Sequence, residues 1–334
     1  MRRLAVLAAF ASLATAAPAF AGPSGLHVAA RIPGPDGGWD YASFDPARQK
    51  VYIAHTDTVL AIDARTGKLD AHFATGDHLH AIVPVPGTDL IVTTNSGDDS
   101  AKIISAATGH LIASVPTAKD ADGAVFDPSS GDVLVVNGDP GLITRVDPKT
   151  AKADGVITVG TGLEFPAVDG HGHAWVNEVD ANKVAAIDLA ANKVSAQYPL
   201  TECDHPTGLA YVSGARLVVA CGGGGAVILD AGSGRQIAHF DTGRFPDAVI
   251  YDPNRQLAMV PSAFAGELTV IALSGPKNNQ VIDTVPTQIG ARTGAVDPKT
   301  GRVWLPTATY KLPIPQGQRP TPEPGTFVVL MLDR

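Results

Sequence analysis

A strand-ending position that returns at a nearly fixed interval constrains this chain more than any other feature. Apolar, β-branched runs close at Asp63, Ser105, Asp147, Asp188, Asp230, Ala272 and Asp333, at spacings of 42, 42, 41, 42, 42 and 61 residues. The first full unit, Ser43 to Gly76 (SFDPARQKVYIAHTDTVLAIDARTGKLDAHFATG), holds four such runs separated by an Asp-Pro turn, a short loop and a Thr-Gly turn. Short runs bounded by turn formers read as antiparallel strands. A repeat of this length, four strands to the unit and without helical periodicity, must stack on its neighbours around a ring to bury its faces. Seven strand ends mean seven units, so the expected fold is all-β: a seven-bladed β-propeller of four-stranded antiparallel blades.

The chain ends agree with that count. After Asp333 only Arg334 remains, so the last unit lacks a fourth strand, whereas Leu26 to Ile32 (LHVAARI) stands alone ahead of the first unit. Each end supplies what the other lacks. An N-terminal strand completing the last blade closes the ring without leaving a sheet edge open. Residues 22–334 then form one domain, because blades pack only on their neighbours.

Residues 1–21 (MRRLAVLAAFASLATAAPAFA) carry two arginines, an apolar stretch and Ala19-Phe20-Ala21 before Gly22. This is the pattern of a secretory leader; a membrane anchor needs a longer uninterrupted apolar span and no small-residue cleavage site. The expected location is periplasmic or secreted. Removing Arg2 and Arg3 leaves 23 Lys and Arg against 33 Asp and Glu, a net charge near −10. Such a surface opposes binding to many phosphates. The two cysteines, Cys203 and Cys221, fall in the fifth unit, where a hairpin brings them to one sheet edge. In an exported chain a disulfide is expected over two free thiols.

The second strands VYIAH, LIVTTN, VLVVN, AWVN, LVVAC, LAMVPS and VWLPT, with Thr-Gly-type turns and a period near 42, resemble the YVTN-repeat propellers, the group that includes periplasmic YncE-like proteins. The resemblance spans residues 26 to 334 and implies the fold. Some relatives of that group bind single-stranded DNA; the acidic balance here argues against a basic groove with interleaved aromatics. One departure is the long last interval, caused by a proline-rich insertion at 308–325 in the last blade, expected to be extended and without a core.

In a propeller the first strand of each blade lines the central channel, and its start shares a face with the end of the second strand. Counting five residues back from the turn gives Asp40, His80, Asp122, Asp247 and Arg292; units 4 and 5 break the register, with Glu164 and the pair Asp204 and His205 as nearest candidates. Counting ten forward gives His55, Asn95, Asn137, Ser262 and Thr307, matched by Asn177 and Cys221 in units 4 and 5. All of these second-strand ends are polar or thiol. A shared ring explains that, as does the habit of strand ends meeting water.

The candidate ligand-binding residues at the channel mouth are therefore Trp39, Asp40, His55, His80, Asn95, Asp122, Asn137, Asn177, His205, Asp247 and Arg292. Arg292, between Asp247 and Asp40 around the ring, is expected to tie them into an ion-pair network. His55, His78, His80 and Asp122, beside Asp40, form an arc of imidazole and carboxylate that suits a divalent metal; hydrogen-bonded histidines are the alternative. His171 and His173 belong to a turn on the opposite face. No GxSxG, HExxH, Walker or CxxCH motif is present. The expected function is that of a monomeric binding or scaffold protein engaging a small ligand, metal ion or protein segment. A metal-assisted hydrolase or lactonase and an accessory propeller to a redox enzyme are the alternatives.

Overall fold

The computed structural model describes residues 22–311 and 321–334. The expected leader at 1–21 and the middle of the proline-rich insertion lie outside them. The described residues form seven four-stranded antiparallel sheets arranged as a seven-bladed propeller. The first strands of successive sheets touch one another in a closed cycle, which makes them the innermost strands around the channel. Among the described residues no helix is long and apolar enough to cross a membrane.

Third strands end where the repeat marks them, from Thr58–Asp63 in blade 1 to Val328–Asp333 in blade 7. The cause is local. Asp63 Oδ1 accepts the backbone N–H groups of Arg65 and Thr66 at 3.0 and 2.9 Å, and Gly67 then turns the chain at φ 72°. Asp147 and Asp230 repeat the carboxylate cap on Lys149 and Ser233. An aspartate that satisfies the turn's own donors ends the strand without needing any other blade.

Blade 7 contains Ala295–Val296, Val303–Thr307 and Val328–Asp333, with His27–Pro33 as its outer strand. Arg31 pairs with Leu330 and Ile32 with Val329 in that closing ladder. The apolar core lies between blades: Val51, Ile53 and Leu60 of blade 1 meet Trp304 and Val329 of blade 7. Each aliphatic side chain buried this way contributes roughly 1.5–3 kcal/mol. Cys203 and Cys221 are joined in a disulfide with their Cα atoms 5.1 Å apart.

Two features of the inner strands prepare the channel mouth. In blades 2 to 5 the ladder slips between Leu79 and Ile82, Ala121 and Ala124, Leu163 and Pro166, and Pro206 and Leu209. In blades 6 and 7 the inner strands shrink to Ile250–Asp252 and Ala295–Val296. The described ends of the insertion pair with each other, Tyr310 bridging to Pro322, and Gly325 N–H donates to Asp36 Oδ1 at 2.6 Å.

Candidate binding site at the channel mouth

A bulge leaves extra residues unpaired and re-aims their side chains. The residues inside the four slips include His80, Asp122, Glu164 and Thr207, one from each of blades 2 to 5. Asp40, Asp247 and Arg292 precede the inner strands of blades 1, 6 and 7 and complete the ring. Glu164 is the blade 4 member, 42 residues after Asp122, and blade 5 contributes the neutral Thr207 instead of Asp204 or His205. Thr207 Oγ1 donates to Pro246 O at 2.7 Å. His205 and Asp204 pair with each other at 3.1 Å further out, both largely exposed.

Three ring residues converge. One ligand atom each from Asp40, His80 and Asp122 lies within 4.8 Å of the others. His80 Nδ1 sits 2.7 Å from Asp40 Oδ2 and 3.4 Å from Asp122 Oδ1, with all three side chains 17–20% exposed. Its Nε2 lies 2.9 Å from Ser96 Oγ. Of the four residues expected to hold a metal, His80 and Asp122 are in this set and His55 and His78 are not. His55 is buried in the wall, its ring edge-on to Phe327 at 4.8 Å and its Nε2 without a hydrogen-bond partner among the described residues. Burial lowers its pKa. His78 is exposed in a left-handed backbone conformation (φ 52°), with its ring 5.1 Å from that of His80.

The second-strand ends occupy the wall too. Asn95, Asn137 and Asn177 are fully buried. Asn95 Oδ1 accepts from Asp77 N–H at 2.9 Å, Asn137 Nδ2 donates to Ala118 O at 2.6 Å, and Asn177 Nδ2 donates to Thr207 O at 2.8 Å. They hold the loops that enter the inner strands. Second strands stand one ladder spacing behind the channel, so their polar ends reach backbone before they reach the lumen. Trp39 is buried as well, against Phe327 and Tyr310, with Arg292 over its face at 5.5 Å. His173, on its exposed turn, pairs with Asp169 at 2.9 Å.

The expected three-member ion-pair network is two separate pairs. Arg292 Nε donates to Asp247 Oδ2 at 2.8 Å and its terminal nitrogen to Trp39 O at 2.6 Å, while Asp40 faces His80. Tyr41 was not among the candidates. Its hydroxyl lies 3.3 Å from Glu164 Oε2, and its ring is 4.8 Å from Phe165, so blade 1 reaches blade 4 one residue deeper than the ring.

Electrostatics follow from this crowding. With Asp247 and Arg292 paired, three carboxyls remain against one imidazole. Burial, with repulsion from Asp40, pushes the Asp122 carboxyl up to about 7. Burial and the charges of Asp122, Asp247 and Asp40 push Glu164 up to about 9. Burial disfavours charge on His80, but the hydrogen bond to Asp40 and the fields of Asp122 and Asp40 outweigh it and raise the imidazole to about 9. The ring is acidic, partly desolvated and short of positive charge.

Toward blades 5 and 6 the mouth widens into a cavity of about 340 Å³ whose walls include His205, Arg244, Phe245 and Pro246 as well as Asp247 and Arg292. An open groove of about 450 Å³ on blade 1, lined by Lys50, Asp63, Lys68 and Asp70 among others, lies away from the ring.

No family model matches the chain, and a comparison with curated protein sequences finds no match. Solved structures do match. A chain of Kuenenia stuttgartiensis hydrazine synthase superposes with TM-score 0.71 at 15% identity, covering 82% of this chain and 92% of that one. A chain of a mitotic checkpoint complex gives TM-score 0.73 at 13% identity, with 92% and 96% covered. U3-55K gives TM-score 0.76 at 8% identity, with 90% and 97% covered. At these identities the likeness establishes the propeller fold and nothing of the chemistry.

Proposed function

We propose that this chain is an exported binding propeller of the YVTN-repeat kind, and that its channel mouth holds a divalent cation between Asp40, His80 and Asp122. The observation that carries the reading is the convergence of one imidazole nitrogen and two carboxylates from three separate blades. Mixed nitrogen and oxygen ligands of this kind suit first-row divalent metals. Ser96 at His80 Nε2 supports it, because an N–H held there lets Nδ1 serve as the ligand once a cation displaces the proton it shares with Asp40. A cation would also relieve the repulsion that raises Asp122 and Glu164. The disulfide supports export to an oxidising compartment, as does the leader pattern of residues 1–21. Repeat length and turn chemistry support the YVTN assignment.

A bound cation serves as a structural clasp or as a docking point for a small ligand or protein segment. A metal-assisted hydrolase is the second reading. Three protein ligands leave coordination positions open for water, and Glu164 retains a proton beside them at neutral pH.

Elemental analysis of the purified protein, followed by thermal unfolding with zinc or manganese, tests the proposal. A metal at a hundredfold excess over its dissociation constant stabilises the fold by about 2.7 kcal/mol. Asp40→Asn, His80→Ala and Asp122→Asn should each abolish that shift. Asp122→Asn should leave the metal-free protein as stable as the parent or slightly more so, since it removes a repelled carboxylate. Metal responses identical to the parent in all three variants would remove the cation reading and leave the propeller.

A further inference from the structure

Four features near blades 5 and 6 play no part in holding a cation at Asp40, His80 and Asp122: the Gly222 to Gly225 run, Arg244, and the exposed aromatics Phe245 and Phe264. Gly222, Gly223, Arg244 and Phe245 line the cavity beside the channel, and Phe264 packs against Phe245. We propose that this cavity is a second binding site that takes a small aromatic carboxylate, its anionic group on Arg244 and its ring against Phe245.

Charge selects the anion. Of the other ionic groups in the cavity wall, Arg292 is paired with Asp247, and Asp204 lies 3.1 Å from the His205 ring nitrogen. Arg244 has no carboxylate within ion-pair distance among the described residues, so its guanidinium is left free in the wall, a group suited to bidentate recognition of a carboxylate. Its carbon stands 5.5 Å from the Phe245 ring centroid, which places cation and aromatic face side by side.

Aromatic exposure selects the ring. Phe245 and Phe264 are 45% and 42% exposed, and their centroids are 4.3 Å apart. Single exposed apolar side chains are ordinary; a contacting aromatic pair at the lip of a cavity marks a binding surface. Phe245 is also held at φ 59°, an unfavourable conformation for a bulky residue. Three backbone hydrogen bonds keep it there: Phe245 N–H to Gly222 O at 3.0 Å, Ala263 N–H to Phe245 O at 3.1 Å, and Phe264 N–H to Arg244 O at 3.2 Å. The same left-handed conformation recurs at His78, Asp120 and His205, two residues before the ring residues of blades 2, 3 and 5, so it belongs to the blade repeat, and blade 6 uses the position to present an aromatic ring.

The glycine run supplies the space. Gly222 and Gly223 belong to the wall without projecting a side chain, and the neighbouring Cys221 is pinned by its disulfide to Cys203. The volume of about 340 Å³ sits at the small end of the range of about 300–1,000 Å³ usual for ligand pockets, which fits a one- or two-ring molecule.

Fluorine NMR of the purified protein in EDTA tests the site independently of any metal, with para-fluorobenzoate as probe and para-fluorobenzyl alcohol as its neutral counterpart. The expected result is saturable benzoate binding, at least about tenfold tighter than the alcohol. Arg244→Gln should erase that preference. Phe245→Gly, which suits the left-handed backbone, should weaken both probes while leaving the thermal midpoint unchanged or higher. Absence of saturable benzoate binding, equal affinity for the two probes, or benzoate binding untouched by both substitutions would overturn the proposal. A lowered midpoint in Phe245→Gly would also count against it, since the phenylalanine would then be there for the fold.

Discussion

Glu164 and His80 carry much of what is unusual at the scale of single residues. Each keeps a proton far longer in the folded chain than outside it, Glu164 to about 9 against 4.5 and His80 to about 9 against 6.5, with Asp122 held to about 7 against 3.8. Between each pair of values the folded state holds a proton that the unfolded state has released. The stability contributed by His80 is thus fully present below 6.5 and lost as pH rises through about 9, and the two raised carboxyls add to the fall from about pH 4 upward. Turn aspartates act in the opposite sense: Asp63 and Asp147 have lowered pKa values because turn hydrogen bonds favour their charged forms, so their contribution is lost as pH falls below 3.8. Metal-free protein should be most stable in mildly acidic solution and lose stability steadily toward pH 9. Thermal midpoints recorded across that window check this; a flat or rising profile between pH 5 and 9 contradicts the assigned crowding. Glu164 was reachable from sequence by adding one period to Asp122. Tyr41 was not, because nothing in its neighbourhood signals contact with a blade about 120 residues away.

Strand ends show how one element does several jobs. An aspartate cap closes most third strands, and a bulge opens the inner strands of blades 2 to 5 near the mouth, so each of those four blades delivers one re-aimed side chain. Blade 5 differs. Its ring residue is neutral, and the loop before its inner strand is tied by Cys203–Cys221 across a separation of 18 residues. Closing a loop of that size restricts the unfolded chain by about 3 kcal/mol. The Cys203→Ala/Cys221→Ala double variant should lose stability of that order in denaturant titration. The parent should be two hydrogens lighter than its dithiol by mass spectrometry; quantitative thiol labelling of the native parent would refute the bridge. Because Gly222 follows directly, the same variant should also loosen the wall beside Phe245.

Closure is the property of the whole molecule on which every other feature depends. The outer strand of blade 7 comes from the opposite end of the chain, and Ser24 adds a hydrogen bond to Asp283 of blade 6 at 2.6 Å. Removing residues 22–33 should expose the Val328–Asp333 edge and the pocket of the buried Leu26, replacing a single cooperative unfolding transition by aggregation or early melting. An unaltered transition in that truncation would contradict closure by the N-terminal strand. By itself the sequence determined the number of blades, the ends of the third strands, the strand that closes the ring and the pairing of the cysteines. Those follow from local turn chemistry and from a period that counts itself. It also singled out Asp40, His80, Asp122, Asp247 and Arg292, because a fixed offset from a turn is a fixed height in a blade. Only the tertiary structure decided which polar residues reach the lumen. Asn95, Asn137 and Asn177 share that height, yet a second strand stands behind the first, and their side chains meet backbone. Depth from the channel axis is set by how blades tilt and bulge against one another, and no spacing along a chain records it.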